Sequence, residues 1–291
     1  MSSDVMPMTE PRPRRQRSQG SGATDAALLF DEPGPRGRIL IAIGSVVAVI
    51  GIAALAAAVL YRLDLAGQLD YPKWRYFLGQ SVVSQLLEAA GTTLTLGGVA
   101  AVLTFPLGIA LGWLRLLDNR PIRWLVGLWI DAMRAVPMLL LVYFFVLVVP
   151  RFVDVSDFWK LALPIVMCTS ATTAEVFRSG VRALDRGQTE AALALGMSRS
   201  LTMRLILAPQ ALRLMLPTLV TQMVTIIKGT TLAYVLAYPE LMYRGSTMIG
   251  QAKIDARLSV FFQTYVIIAV AYVIVNWALG ALARRIEART R

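Results

Sequence analysis

Lys228 stands in the middle of an apolar run, "TLVTQMVTIIKGTTLAYVL", with Gln222, Thr225, Thr230 and Thr231 around it. Glu175 and Arg178 form a second charged pair within "TSATTAEVFRSG", three residues apart and so on one face of a helix. None of this is bond-making equipment. The chain has no histidine and a single cysteine, Cys168, in an apolar segment. The usual zinc sites and the Ser-His and Cys-His pairs are therefore excluded, and no disulfide can form within the chain. No G-x-x-x-x-G-K-[ST] loop is present, so no nucleotide is bound in the P-loop manner and neither catalytic nor metal-binding residues are expected. What remains is the chemistry of holding a polar solute. Gln222 and the threonines, with Thr92 and Thr95 further back, can hydrogen-bond a zwitterion or equally satisfy neighbouring helices. A cation at mid-span costs roughly 2.5–3.5 kcal/mol on insertion scales, so Lys228 should line a water-filled path or brace a helix break at Gly229-Thr230-Thr231. Glu175 and Arg178 read evenly as an ion pair that lowers insertion cost or as part of an inner gate.

These residues must be positioned by membrane-spanning helices. Of 291 residues 56% are hydrophobic, and the mean hydropathy is +0.61. The net charge of +11 alternates with apolar runs instead of forming one dense patch, which argues for membrane topology and against nucleic-acid binding. Six segments are long enough to cross a bilayer: Ile39–Tyr61, Leu86–Leu117, Pro121–Pro150, Phe158–Leu184, Leu212–Tyr238 and Ser259–Leu282. The first is too long, behind too long a polar leader, to be a cleaved signal peptide. The third opens with "PIRWLVGLWIDAMR", which reads as an interfacial helix with Trp124 and Trp129 at headgroup depth, and crosses from Ala135 to Val149. Arg134 and Pro137 mark the change from one to the other. With the N-terminus placed inside, twenty of the 29 Lys and Arg residues fall in inside segments and eight outside, so both termini are expected in the cytoplasm. The tail 1–38, rich in Pro, Arg, Ser and Gly, is expected to be largely disordered up to about Leu28. Residues 62–85 then form an extracytoplasmic linker and 286–291 a cytoplasmic tail.

One cytoplasmic stretch, "TEAALALGMSRSLTMRLILAP" from Thr189 to Pro209, is too polar for a span and too regular for a loop. Asp185 and Gln188 are spaced as a capping box for a first helix. Gly196 can end that helix in a left-handed conformation, Ser198 can start a second, and Pro209 is expected to break it. The five apolar residues Ala191–Leu195 are more than a solvated helix normally carries, so a protein partner should cover them.

The order Glu190-Ala191-Ala192, Gly196 and, after a spacer, Ile206 and Pro209 resembles the EAA loop of bacterial ATP-binding-cassette importer permeases. "AEVFRSGVRALDRGQTEAALALG", "RAVP", "PQALRLMLP" and "IKGTTL" resemble the polar amino-acid branch of that family, the likeness covering about Leu86 to Arg285. The resemblance implies an all-α, type I importer fold with a five-helix core, here residues 86–285, plus one extra N-terminal span at 39–61. It implies that 186–209 is the coupling loop, seated in a groove of a separate ATPase subunit that binds ATP and Mg, so that this chain is no enzyme and binds no cofactor. It also implies a second permease subunit and an extracellular binding protein, docking near Asp70–Phe77 and Tyr238–Arg257, in a bacterial plasma membrane. "LLFDEPGPRGR" and "GQLDYPKW" resemble the longer permease subunit of actinobacterial glutamate uptake systems, which work with a partner permease and a lipid-anchored binding protein. Gly229 stands where many relatives carry an acidic or amide residue. Another polar amino acid, glutamine or a basic one, is the alternative cargo. An ion-coupled secondary transporter would need a carboxylate at mid-span, and none is expected there.

Overall fold

A computed structural model describes residues 34–290, and the tail segment expected to be disordered lies outside the described residues. The chain divides into two units after Leu65. In the first, helix α1 (Pro35–Leu65) contains the expected span and extends it at both ends. Proline at its first residue fits, because its fixed φ suits a helix start and its missing N–H would be unpaired there anyway. Its 31 residues reach about 46 Å at 1.5 Å per residue.

The second unit is built on two helices, α3 (Gln80–Leu114) and α6 (Asp157–Arg182), which pack against each other more extensively than any other pair. The sequence of α3 explains the closeness. Gly108 and Gly112 lie one turn apart, and a Cβ at Gly108 would stand 2.5 Å from the Thr173 Cβ and 2.8 Å from the Ser170 carbonyl. A Cβ at Gly112 would meet the Ala174 carbonyl at 2.7 Å. One turn earlier, the buried hydroxyls of Thr104 and Thr169 lie 2.8 Å apart, tying the two helices by a hydrogen bond. Small residues and hydroxyls are what hold helices together where lipid offers no hydrophobic driving force.

Four described helical segments are long and apolar enough by themselves to cross a membrane, and a bent pair makes a fifth. Helix α6, expected as a span, fails that test although its 26 residues are long enough. The reason is its central position: α3, α9, α5 and α4 all pack on it, so Thr169, Ser170, Thr173 and Cys168 are buried against protein. The bent pair is α4 (Arg120–Ala135) and α5 (Met138–Leu147 with the turn that follows it), crossing at 95°. Val136 and Pro137 are extended between them.

The segments between the spans are themselves structured. The linker 62–85 is mostly helical: α1 runs to Leu65, α2 (Tyr71–Arg75) and a 3₁₀ turn (Tyr76–Leu78) follow, and α3 starts at Gln80. Phe77 is buried there with Val82, Met248, Ala252 and Val260. The span expected over 212–238 lies within a helical stretch, Arg199–Leu236, that is long and apolar enough to cross a membrane. Short helices α7 (Arg186–Ala194) and α8 (Arg199–Thr202) lead through a π turn (Met203–Leu207) into α9 (Ala208–Gly229). A 3₁₀ stretch (Thr230–Leu236) then ends at Ala237, whose φ of 53° is left-handed. Helix α10 (Leu241–Asp255) continues, packed on α3 and on α11 (Phe261–Thr290) through Leu241, Gly245, Met248 and Ala252. The segment after that span is thus a helix with one buried face, Leu241, Gly245, Met248 and Ala252, while Gln251 and Lys253–Asp255 at its end are exposed. Pro239, which stops any helix before it, and Glu240, which caps the next one, are the residues that force the break.

Candidate functional site

The two short helices form as their caps dictate. Asp185 accepts a hydrogen bond from the Gly187 N–H at 2.7 Å, and Ser198 accepts one from the Leu201 N–H at 3.3 Å. Gln188 does not close a capping box; its side-chain oxygen accepts from the Gln210 amide at 2.8 Å, stitching α7 to α9. At the other end the Gly196 N–H bonds the Leu193 carbonyl and the Met197 N–H the Ala192 carbonyl. With Gly196 at φ 79° this is a Schellman motif. Pro209 does not break the second helix as expected. The π turn before it, where the Ala208 N–H reaches back to the Met203 carbonyl, takes up the register in which proline leaves the ladder a donor short, and the helix runs on.

The surface this makes is apolar and open. Ala192 is buried, whereas Glu190, Ala191 and Ala194 are exposed and Leu195 is 83% exposed. No atom stands within 4 Å of a Cβ built on Gly196. Glu190 has no ion pair among the described residues. An ion pair unforeseen in the sequence, Arg199 to Asp118 at 2.9 Å, ties the second helix to the turn between α3 and α4. Both partners are well exposed, so it contributes little stability.

Behind this surface Glu175 and Arg178 do pair, at 2.5 and 3.1 Å, but as part of a larger junction. Arg115 at the end of α3 also bonds Glu175 and holds Asp131 of α4 at 3.1 and 3.3 Å. Three helices are thereby pinned at one point. Arg134 comes only to 4.0 Å of Asp131, at the edge of ion-pair range, and Pro137 caps α5 one turn further on. Sequence spacing could find the pair within α6 but not its partners, which are 60 residues away on α3 and 44 away on α4.

The polar residues of α9 separate into two groups. Thr221, Thr225 and Lys228 are exposed along one face, with Thr231 half-buried beyond them. Lys228 makes no ion pair among the described residues. Gln222 and Thr230 point the other way and are buried. Thr230 bonds its own helix, at the Ile227 carbonyl; so do Thr92 and Thr95 on α3, whose hydroxyls bond the Glu88 and Gly91 carbonyls.

A polar cluster that sequence reasoning missed lies at the break. Glu240, with 0% exposure, accepts from the N–H groups of Met242 (2.9 Å) and Tyr243 (2.7 Å) and from the Tyr272 hydroxyl (2.9 Å). The adjacent Leu241 N–H donates to Thr93 at 3.1 Å. Thr93 and Tyr272 lie within α3 and α11, so Glu240, although it stands between helices and in no span, is buried among them. All its donors come from the protein and none of it is open, which makes it a structural pin and not an ion-coupling site.

Residues 104–288 match the family of binding-protein-dependent transport system inner membrane components. The chain is 34% identical over 230 residues, 77% of its length and 82% of the relative's, to the glutamate transport system permease protein GluD of Corynebacterium glutamicum. It is 33% identical to the probable glutamine ABC transporter permease protein GlnP of Bacillus subtilis, over 68% of this chain and 89% of that one. A crystal structure of an amino acid ABC transporter with histidines shares the fold, with a TM-score of 0.64 at 23% identity over 72% of this chain and 95% of that chain. The apolar helices, the open pair α7–α8 and these likenesses agree: the chain belongs to the binding-protein-dependent inner membrane component family, as a permease subunit of an amino-acid ABC importer whose ATPase is a separate subunit.

Proposed function

We propose that this permease carries glutamate, handed over by an extracellular, lipid-anchored binding protein, through a path it shares with a second, different permease subunit. Both termini lie in the cytoplasm, and ATPase closure acts on α7 and α8. The uncovered surface of Glu190, Ala191 and Leu195 supports seating in the ATPase, with Ala192 and Gly196 shaping the turn. The binding protein docks at the opposite end, where Phe77 packs with Met248, Ala252 and Val260 so that the α2 region and the end of α10 form one face.

The likeness to a glutamate permease carries the cargo assignment, and the open face of α9 fits it. Lys228 and its neighbours Thr221 and Thr225 are exposed while Ile226 and Ile227, on the other side of the same turn, are buried. Lys228 has no ion-pair partner among the described residues, and glutamate brings one net negative charge. An ammonium facing a low-dielectric path offsets part of the desolvation of that charge.

Lys228→Met keeps length and bulk and removes the charge. In proteoliposomes with ATPase, partner permease and binding protein, this variant is expected to assemble normally and to lose most glutamate uptake, with glutamate binding to the isolated binding protein unchanged. Wild-type uptake by Lys228→Met would refute the role of the charge. Stronger uptake of glutamine or arginine than of glutamate by the wild-type assembly would refute the cargo.

A further inference from the structure

Between α3, α4 and α6, at the end of the bundle that carries α7 and α8, lies a cavity of about 370 Å³. Four arginines line it, Arg115, Arg123, Arg178 and Arg182, against one carboxylate, Asp131. Two of the four are already neutralised: Arg115 by Asp131 and Glu175, Arg178 by Glu175. The other two are not. Arg123 donates only to the Leu117 carbonyl, at 3.5 Å, and Arg182 makes no ion pair among the described residues. A single arginine at a rim needs no partner but water. Two surplus guanidinium groups, from the first turn of one helix and the last of another, converge on one concavity and give it a net demand for an anion.

The rest of the wall shows which anion. Trp124 and Leu128 line the same cavity, and Trp124 is largely exposed. Both belong to α4, which meets α5 at 95°. If α5 crosses the bilayer, α4 must lie along its surface, the position of an amphipathic helix at headgroup depth. The cavity therefore opens where phosphates lie, with cations on one wall and apolar side chains on the other. A dissolved anion would use only the first of these.

We propose that this cavity is a binding site for an anionic phospholipid. Arg123 and Arg182 hold its phosphate through charge-assisted, fork-shaped hydrogen bonds, and Trp124 and Leu128 pack against the glycerol and the upper acyl chains. The proposal needs this end of the bundle to lie at a membrane surface, but not the glutamate assignment, and it is read without transport.

The delipidated full-length chain in detergent is titrated with phosphatidylglycerol, phosphatidylcholine or inorganic phosphate, and bound lipid is counted by native mass spectrometry. Phosphatidylglycerol should be retained in preference to phosphatidylcholine. The double variant Arg123→Gln/Arg182→Gln should weaken it roughly 30-fold, from about fivefold per surface arginine. The melting temperature should not change, because neither side chain has an ion-pair partner among the described residues. Arg182→Gln alone should give an intermediate loss, which keeps the test open if the double variant is unstable. Equal retention of the two lipids, or undiminished phosphatidylglycerol binding by the variants, would overturn the proposal. So would displacement of the lipid by millimolar inorganic phosphate or free glutamate, since that would assign the cavity to a soluble anion.

Discussion

Replacing Glu240 with alanine is expected to destabilise the outer half of the bundle, and the size of the effect follows from its contacts. The carboxylate accepts from three donors, the Met242 and Tyr243 N–H groups and the Tyr272 hydroxyl, all within 2.9 Å. Alanine leaves all three without a partner in a place closed to water, at about 1–3 kcal/mol each. Against that, a carboxylate buried with no basic partner carries its own desolvation penalty, of several kcal/mol, which the substitution relieves. The net loss should then be about 2–4 kcal/mol, less than the gross sum. Glu240→Gln keeps an oxygen for one backbone N–H and turns a donor toward another group, so it should lie between wild type and alanine. Tyr272→Phe removes one bond, and combined with Glu240→Ala it should add almost nothing, because the bond is already gone. Unfolding of the purified chain in mixed micelles by dodecyl sulfate titration gives all four values. Stability of Glu240→Ala within about 0.5 kcal/mol of wild type would refute the reading, as would simple additivity of Glu240→Ala and Tyr272→Phe.

Gly108→Val is expected to be worse than any change at a lipid-facing position of α3, since its Cβ alone would fall 2.5 Å from the Thr173 Cβ. Overpacking of this kind costs about 1–3 kcal/mol or more, and the same micelle titration measures it, with Val102→Ala, exposed on α3, as the control. Gly196→Asp should behave differently: nothing within 4 Å opposes a side chain there, and only the left-handed φ of 79° is unfavourable, at about 1–2 kcal/mol. The variant should insert and keep its fold but lose ATPase association and substrate-stimulated hydrolysis. Wild-type hydrolysis by the assembled variant would remove α7 and α8 from the coupling role.

What could be read from the sequence depended on whether a feature's partners were close along the chain. The turn at Gly196 was legible because all its groups lie between Ala192 and Met197. The bend before α5 was legible too, since Trp124, Arg134 and Pro137 mark an interfacial helix turning into a span within one stretch. The packing of α10 was hidden for the opposite reason. Its charges, Arg244, Lys253 and Asp255, and its position after Pro239 look like an outer loop, and only contact with α3 and α11 shows that Leu241, Met248 and Ala252 are core. Glu240 was invisible for the same reason: its meaning depends on Tyr272, 32 residues on, and its neighbour's on Thr93, 148 residues back. A carboxylate before a helix reads as an exposed cap unless something says the helix begins inside the protein. That signal was present in a weak form. An interrupted helix at membrane depth must find partners for its freed backbone groups, and "AYPEL" supplies a break, an acceptor and an apolar anchor in five residues. The helix α10 and its buried cap both follow from that one interruption: Pro239 stops the chain, and Glu240 takes up the freed N–H groups of Met242 and Tyr243 inside the protein.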